Sequence, residues 1–175
     1  MKKKLIILSD LWGKERSQWI DFYRIPLSEK FQVTYYDCCE LGDVSKSDYT
    51  EGSLHEQFVN GGIERAVRQL VELEKEKVNM LAFSVGGVIA WKFGIESAAI
   101  RSLYCVSSTR LRYEQIKPEG EIELFFADHD DHKPQKTWFD KMQVEFKIIN
   151  NARHQIYVNR EFAEQLSRQV LEKHP

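Results

Sequence analysis

The sequence predicts a three-layer α/β protein, with a doubly wound sheet of six mainly parallel strands covered by helices on both faces. Three observations lead there. Six short runs rich in aliphatic, β-branched and aromatic residues alternate with longer segments of helical period, the pattern of strand-helix-strand units. The runs are mostly apolar throughout, as strands buried on both faces are. With 175 residues, 42% of them hydrophobic and 12% aromatic, the chain can bury a core without disulfides or metal. A single domain over 1–175 is therefore expected.

Strands are expected at 4–9, 31–36, 79–83, 100–106, 122–127 and 144–149. The clearest helix covers 54–77, where Ile63, Ala66, Val67, Leu70 and Val71 recur at spacings of three and four, with Glu64, Arg65, Arg68 and Glu72 between them. Further helices are expected at 86–96, 135–142 and 161–173, and at 14–30, broken or ended near Pro26. Residues 37–53 carry Gly42, Gly52 and several Ser and Asp, and read as a long surface loop.

Charge and cysteine usage exclude several functional classes. Lys plus Arg number 25 against 27 Asp plus Glu, so no global basic field exists to hold a nucleic-acid backbone. After Lys2-Lys3-Lys4 the apolar run Leu5-Ile6-Ile7-Leu8 is too short for a secretory leader, and no stretch approaches the roughly 20 apolar residues of a membrane span. Cys38, Cys39 and Cys105 form neither a disulfide framework nor a zinc spacing. A cytoplasmic, reducing location is expected. The run Asp128-His129-Asp130-Asp131-His132 is dense in potential ligands, but no second cluster accompanies it and no phosphate-binding glycine loop follows a strand. No metal or cofactor is expected.

The segment that carries chemistry is Met80-Leu81-Ala82-Phe83-Ser84-Val85-Gly86-Gly87-Val88-Ile89-Ala90, an apolar strand running through a serine into small residues and then a helical pattern. A turn that tight forces the serine into a strained conformation and requires small residues two before and two after it. Ala82 and Gly86 meet that demand. The segment resembles the nucleophile elbow of the α/β-hydrolase superfamily, with Ala82 at the first glycine of Gly-x-Ser-x-Gly.

That resemblance implies a chain order of Ser, acid, His. The loop after 122–127 places Asp130 and Pro134 on the family's Asp and Pro, which favours Asp130 over its neighbours Asp128 and Asp131 as the acid. His154 follows the last strand as the family's histidine does, with Ala152 and Arg153 in place of the usual glycine. The oxyanion hole would use the amides of Val85 and, from Ser9-Asp10-Leu11-Trp12-Gly13, of Trp12; a shift of one residue selects Leu11. The resemblance also implies a strand order of 2-1-3-4-5-6. The family's first antiparallel hairpin is missing, as is its cap, since only 107–120 separates two strands. Tyr36-Asp37 through Gly42 and the final helix extend the match over nearly the whole chain.

The implied activity is hydrolysis of a carboxylic ester or thioester, the substrate being a small molecule or a carrier-bound acyl ester. Ser84 to Ala90 is also similar to the biotin-pathway esterases, which cleave a methyl ester on an acyl carrier protein. Arg110, Arg112, Lys133 and Arg153 lie on loops leaving the carboxyl ends of strands, the edge where open α/β sheets bind ligands. They are expected to form a basic rim around a substrate that also meets Leu11. The competing class is a non-catalytic binding protein on the same fold, motivated by the departures at Ala82, Asp10 and Leu11.

Overall fold

Along each central strand, successive side chains enter opposite cores. Leu5 and Ile7 of β1 (Lys3–Leu8) pack with Leu81, Phe83 and Val106, while Ile6 and Leu8 pack with Met80, Ala82 and Cys105. Both faces of the sheet's centre are thus buried, as the unbroken apolar runs require, whereas the last strand, Glu145–Ile149, is exposed along most of its length. The computed structural model describes residues 2–174. Its sheet contains β1, β2 (Phe31–Tyr36), β3 (Val78–Phe83), β4 (Ile100–Val106), β5 (Glu121–Ala127) and β6 (Glu145–Ile149), all parallel, in the order β2-β1-β3-β4-β5-β6. Every strand lies within one residue of its expected bounds.

The helices in chain order are α1 (Asp21–Leu27), α2 (Cys38–Leu41), α3 (Glu51–Gln57), α4 (Ile63–Leu73), α5 (Val85–Ser97), α6 (Lys136–Met142) and α7 (Arg160–Lys173). Helices α4, α5 and α6 cover one face, and α1 and α7 the other. Among the described residues no helix is long and apolar enough to cross a membrane.

Three expectations are corrected. The helix expected at 54–77 is broken, because Asn60 (φ −90°, ψ 39°) and Gly61 (φ 111°) leave helical geometry and redirect the chain between α3 and α4. It also stops at Leu73, since Glu74 turns its carboxylate inward to Lys4 Nζ at 2.5 Å and the Tyr36 hydroxyl at 2.7 Å. The segment 14–30 ends its helix at Leu27, next to Pro26 as expected, but its first part is two short 3-10 turns broken at Ser17 (φ −127°, ψ 43°).

The segment 37–53 is not wholly a surface loop. Its start folds as α2, whose Cys38, Cys39 and Leu41 are buried, and Asp37 caps it by accepting from the Cys39 and Glu40 amides at 2.7 and 3.2 Å. An N-cap aspartate satisfies amides that helix geometry leaves without partners. Burial pushes the Cys39 thiol up to about 12 and the Cys38 thiol well above its ordinary range, so both behave as core residues.

Candidate active site

Ser84 sits between β3 and α5 with φ 51° and ψ −119°. A non-glycine residue held there stores roughly 1–3 kcal/mol of backbone strain. The neighbours that fix it are specific. Its amide donates to Val106 O at 2.9 Å, and a Cβ on Gly86 would lie 2.5 Å from Ser9 O. At Gly87 an added Cβ would fall 1.8 Å from Ser108 Oγ. The glycines let α5 press against the ends of β1 and β4, and that closeness produces the sharp turn. Ala82, fully buried between β1 and β4, leaves no room for a larger side chain.

Three loops at the carboxyl edge bring the chosen side chains together. Ser84 Oγ lies 3.1 Å from His154 Nε2, and His154 Nδ1 lies 2.6 Å from Asp130 Oδ2. Asp130 is 4% exposed and its other oxygen accepts from the His132 amide at 3.2 Å. Burial alone would raise its pKa, but the hydrogen bond and charge of His154 and the His132 amide hold it below the ordinary carboxylate range. An ionised Asp130 fixes the proton on Nδ1 and leaves Nε2 as an acceptor facing the serine. Such a chain can move a proton between Ser84 and the imidazole.

The three neighbouring aspartates are distinguished by their partners. Asp128 accepts from the amides of His129, Asn151 and Ala152 at 2.9, 2.8 and 3.0 Å, which clamps the β5 loop to the loop that carries His154. The Ala152 amide is the chief cause of its depressed pKa. Asp131 is exposed and faces neither histidine chain nor clamp. On the far side of His154, Ser107 Oγ donates to its carbonyl. Neither Asp128 nor Ser107 is a reactive group, and residue type alone had not distinguished them as supports.

In the loop expected to supply an oxyanion amide, the first choice, Trp12, is engaged elsewhere. The Trp12 amide donates to Asp10 Oδ1 at 3.0 Å, and its ring packs edge-on against Tyr49 at 5.6 Å with Arg16 at 4.6 Å. It is occupied, and Trp12 does not line the cleft. Leu11 and Val85 do, and their amides have no protein acceptor among the described residues. Asp10 is 2% exposed and also accepts from the Tyr157 hydroxyl at 3.1 Å, which ties the oxyanion loop to the turn after His154. Burial pushes its carboxyl up to about 6 against the opposing pull of the Trp12 amide and Tyr157 hydroxyl.

The cleft above Ser84 measures about 620 Å3, within the range of small-molecule sites. Arg110, Arg112 and Arg153 line it, together with Leu11, Val85 and Phe58. Lys133 leaves the expected rim, because its ammonium donates to the carbonyls of Asp128 and Asp130 at 2.8 and 3.0 Å. Phe58, which the sequence did not single out, reaches the cleft because the break after α3 turns that helix toward the site. The Gly61-Gly62 pair is the signal in the sequence that could have located the break. Between β4 and β5 stands only a short 3-10 helix, Thr109–Tyr113, as expected for a chain without an inserted cap.

This architecture, with a strained serine at the β3 to α5 turn and acid and histidine after β5 and β6, can be set beside known structures. The chain has the α/β-hydrolase fold. A protein of Xanthomonas campestris pv. campestris assigned to the α/β-hydrolase superfamily superposes with a TM-score of 0.67 at 16% identity, covering 98% of this chain and 99% of that one. A serine hydrolase without a lid, also from Xanthomonas campestris, matches with 0.62 at 10% identity over 99% and 83% of the two chains. Carboxylesterase CesB of Bacillus subtilis matches with 0.63 at 13% identity over 97% and 82%. No family model and no curated protein matches the sequence. At these identities the α/β-hydrolase likeness speaks for the fold, and the side-chain geometry has to speak for the chemistry.

Proposed function

We propose that the protein is a serine hydrolase that cleaves a carboxylic ester or thioester through an acyl-enzyme. The observation that carries this reading is the hydrogen-bonded chain from Ser84 Oγ through the His154 imidazole to the buried Asp130 carboxylate. Ser84 Oγ attacks the carbonyl carbon while His154 Nε2 takes its proton. The Leu11 and Val85 amides hold the oxyanion, and Asp130 stabilises the imidazolium. Collapse breaks the bond to the alcohol or thiol, which leaves with the proton from Nε2. Water then attacks the acyl-enzyme, His154 again relaying the proton, and the carboxylic acid departs with Ser84 restored.

The test is covalent. A fluorophosphonate probe should modify Ser84, located by mass spectrometry, and the adduct should vanish in Ser84→Ala and His154→Ala. Turnover of 4-nitrophenyl butyrate should disappear with it. Absence of both labelling and turnover, under conditions where a reference serine hydrolase reacts, would sink the reading and leave a binding protein on the α/β-hydrolase fold.

A further inference from the structure

Three guanidinium groups share the cleft with Ser84, and none of them meets a carboxylate among the described residues. Several partly buried cations elsewhere do meet one: Lys46 with Asp37, Lys92 with Glu114, Lys173 with Glu123. The acids of the cleft are Glu51, which is exposed, and Asp130, already engaged by His154. Positive charge is therefore in excess where a substrate would lie.

Arg112 is held in place without being neutralised. Its Nη1 donates to the carbonyls of Thr109 at 2.9 Å and His132 at 3.4 Å, and its Nη2 to the Tyr113 hydroxyl at 2.8 Å. Arg112 and Arg110 both stack on the Tyr113 ring, at 4.2 and 5.2 Å from its centroid. The turn that bears them is pinned by Leu111, which is fully buried. Both side chains are half-buried, so their fields are less screened than those of free surface arginines. Carbonyls and a ring fix these cations and leave guanidinium N–H groups for a further acceptor.

Resting on the serine-hydrolase reading, we propose that the natural substrate is an anionic ester or thioester. Its carboxylate or phosphate is bound by Arg110 and Arg112, with Arg153 at the cleft mouth, while Leu11, Val85 and Phe58 receive its apolar part. A guanidinium pair suits either anion, since both present two oxygens to a planar donor fork.

The experiment has two arms that separate the source of the anion. One compares 4-nitrophenyl hemiglutarate, with a carboxylate on the acyl side, with neutral 4-nitrophenyl butyrate. The other compares butyryl-coenzyme A, with phosphates on the thiol side, with butyryl-pantetheine. In one arm the anionic member should be preferred by about tenfold or more in kcat/KM at low ionic strength. That preference should shrink as salt is raised. In Arg110→Gln/Arg112→Gln it should vanish, kcat/KM for the anionic member falling by about tenfold more than for its neutral partner.

Binding is read separately in Ser84→Ala, titrated with monomethyl glutarate and with 4′-phosphopantetheine. Binding that is lost in the arginine variant would uphold the anion site even if no ester were turned over, in which case the hydrolase reading alone fails. Equal rates for charged and neutral partners in both arms, or arginine variants that depress both partners alike, would overturn the proposal.

Discussion

The two ends of the sheet handle their polar groups in opposite ways. At the amino end Glu123 is surrounded by Lys173 at 2.7 Å, Gln169 at 2.7 Å and Lys147 at 3.1 Å, and Lys4 meets Glu74. The buried carboxylates there are matched. At the carboxyl end β3 and β4 run straight into Ser84 and Ser107 at positive φ, Asn151 follows β6 in the same conformation, and among the described residues two amides lack a protein acceptor and three guanidiniums lack a carboxylate. Positive φ occurs at both edges, since Ala98 and Gln143 lead into β4 and β6, but only at the carboxyl edge does it stand beside open amides and guanidiniums that a ligand can meet.

The sharpest way to break that contrast is catalytic. Ser84→Ala and Asp130→Asn should each lower kcat by about 10^4-fold or more, because the three side chains act as a unit. Hydrolysis of 4-nitrophenyl butyrate measures it, and a loss below about tenfold for Asp130→Asn would assign the acid to another residue. Gly87→Ala comes next. Its Cβ would overlap Ser108 Oγ, so α5 must shift and unfolding free energy should fall by about 2–3 kcal/mol in urea, with a parallel loss of activity. An unchanged midpoint would mean that the elbow is less tightly packed than the contact to Ser108 implies.

The contrast also explains what the sequence revealed. The central strands were legible because burial on both faces writes itself as apolar runs, the exposed β6 because its residues are still largely apolar, and Ser84 because its turn tolerates only small neighbours. His154 was picked by its place after the last strand and Asp130 by chain order together with Pro134, and the fold brings both to Ser84. The Trp12 amide was misassigned because its partner is a carboxylate two residues earlier, a local hydrogen bond that no spacing rule separates from the neighbouring alternative. Asp128 and Ser107 were invisible as supports because their work is done on backbone atoms. The break after α3 was missed because helical periodicity continues through Asn60 and Gly61 while the backbone does not.

Asp10 offers a smaller test within the carboxyl end. Burial raises its carboxyl to about 6 from an ordinary 3.8, so the folded protein binds this proton more tightly than the unfolded chain. Stability from this group is therefore greatest below about pH 4, falls as pH rises toward 6, and is flat above. Asp10→Asn removes the buried charge while its amide oxygen can still accept from Trp12. The variant should be more stable than the parent at pH 8 by about 2 kcal/mol, with the gap closing at pH 4. Denaturation at the two pH values measures it, and a variant less stable at pH 8 would show that the ionised carboxylate is held by more than its two hydrogen bonds.

The smallest effect belongs to the amino end. Burial alone would raise the pKa of Glu123, but Lys173, Gln169 and Lys147 bring it below the ordinary value. Its contribution is thus present above the unfolded pKa and lost as pH falls through the folded one. The lysines are about half exposed, so solvent screens the pairs. Glu123→Gln should cost about 1 kcal/mol at neutral pH, less in acid, and leave kcat within about twofold. Strand β5 carries Glu123 near its start and leads into the Asp130 loop at its end. A fall in kcat matching the fall in stability would show that the two ends are coupled through that strand, whereas a change in stability alone would show that the site is held by its own loops.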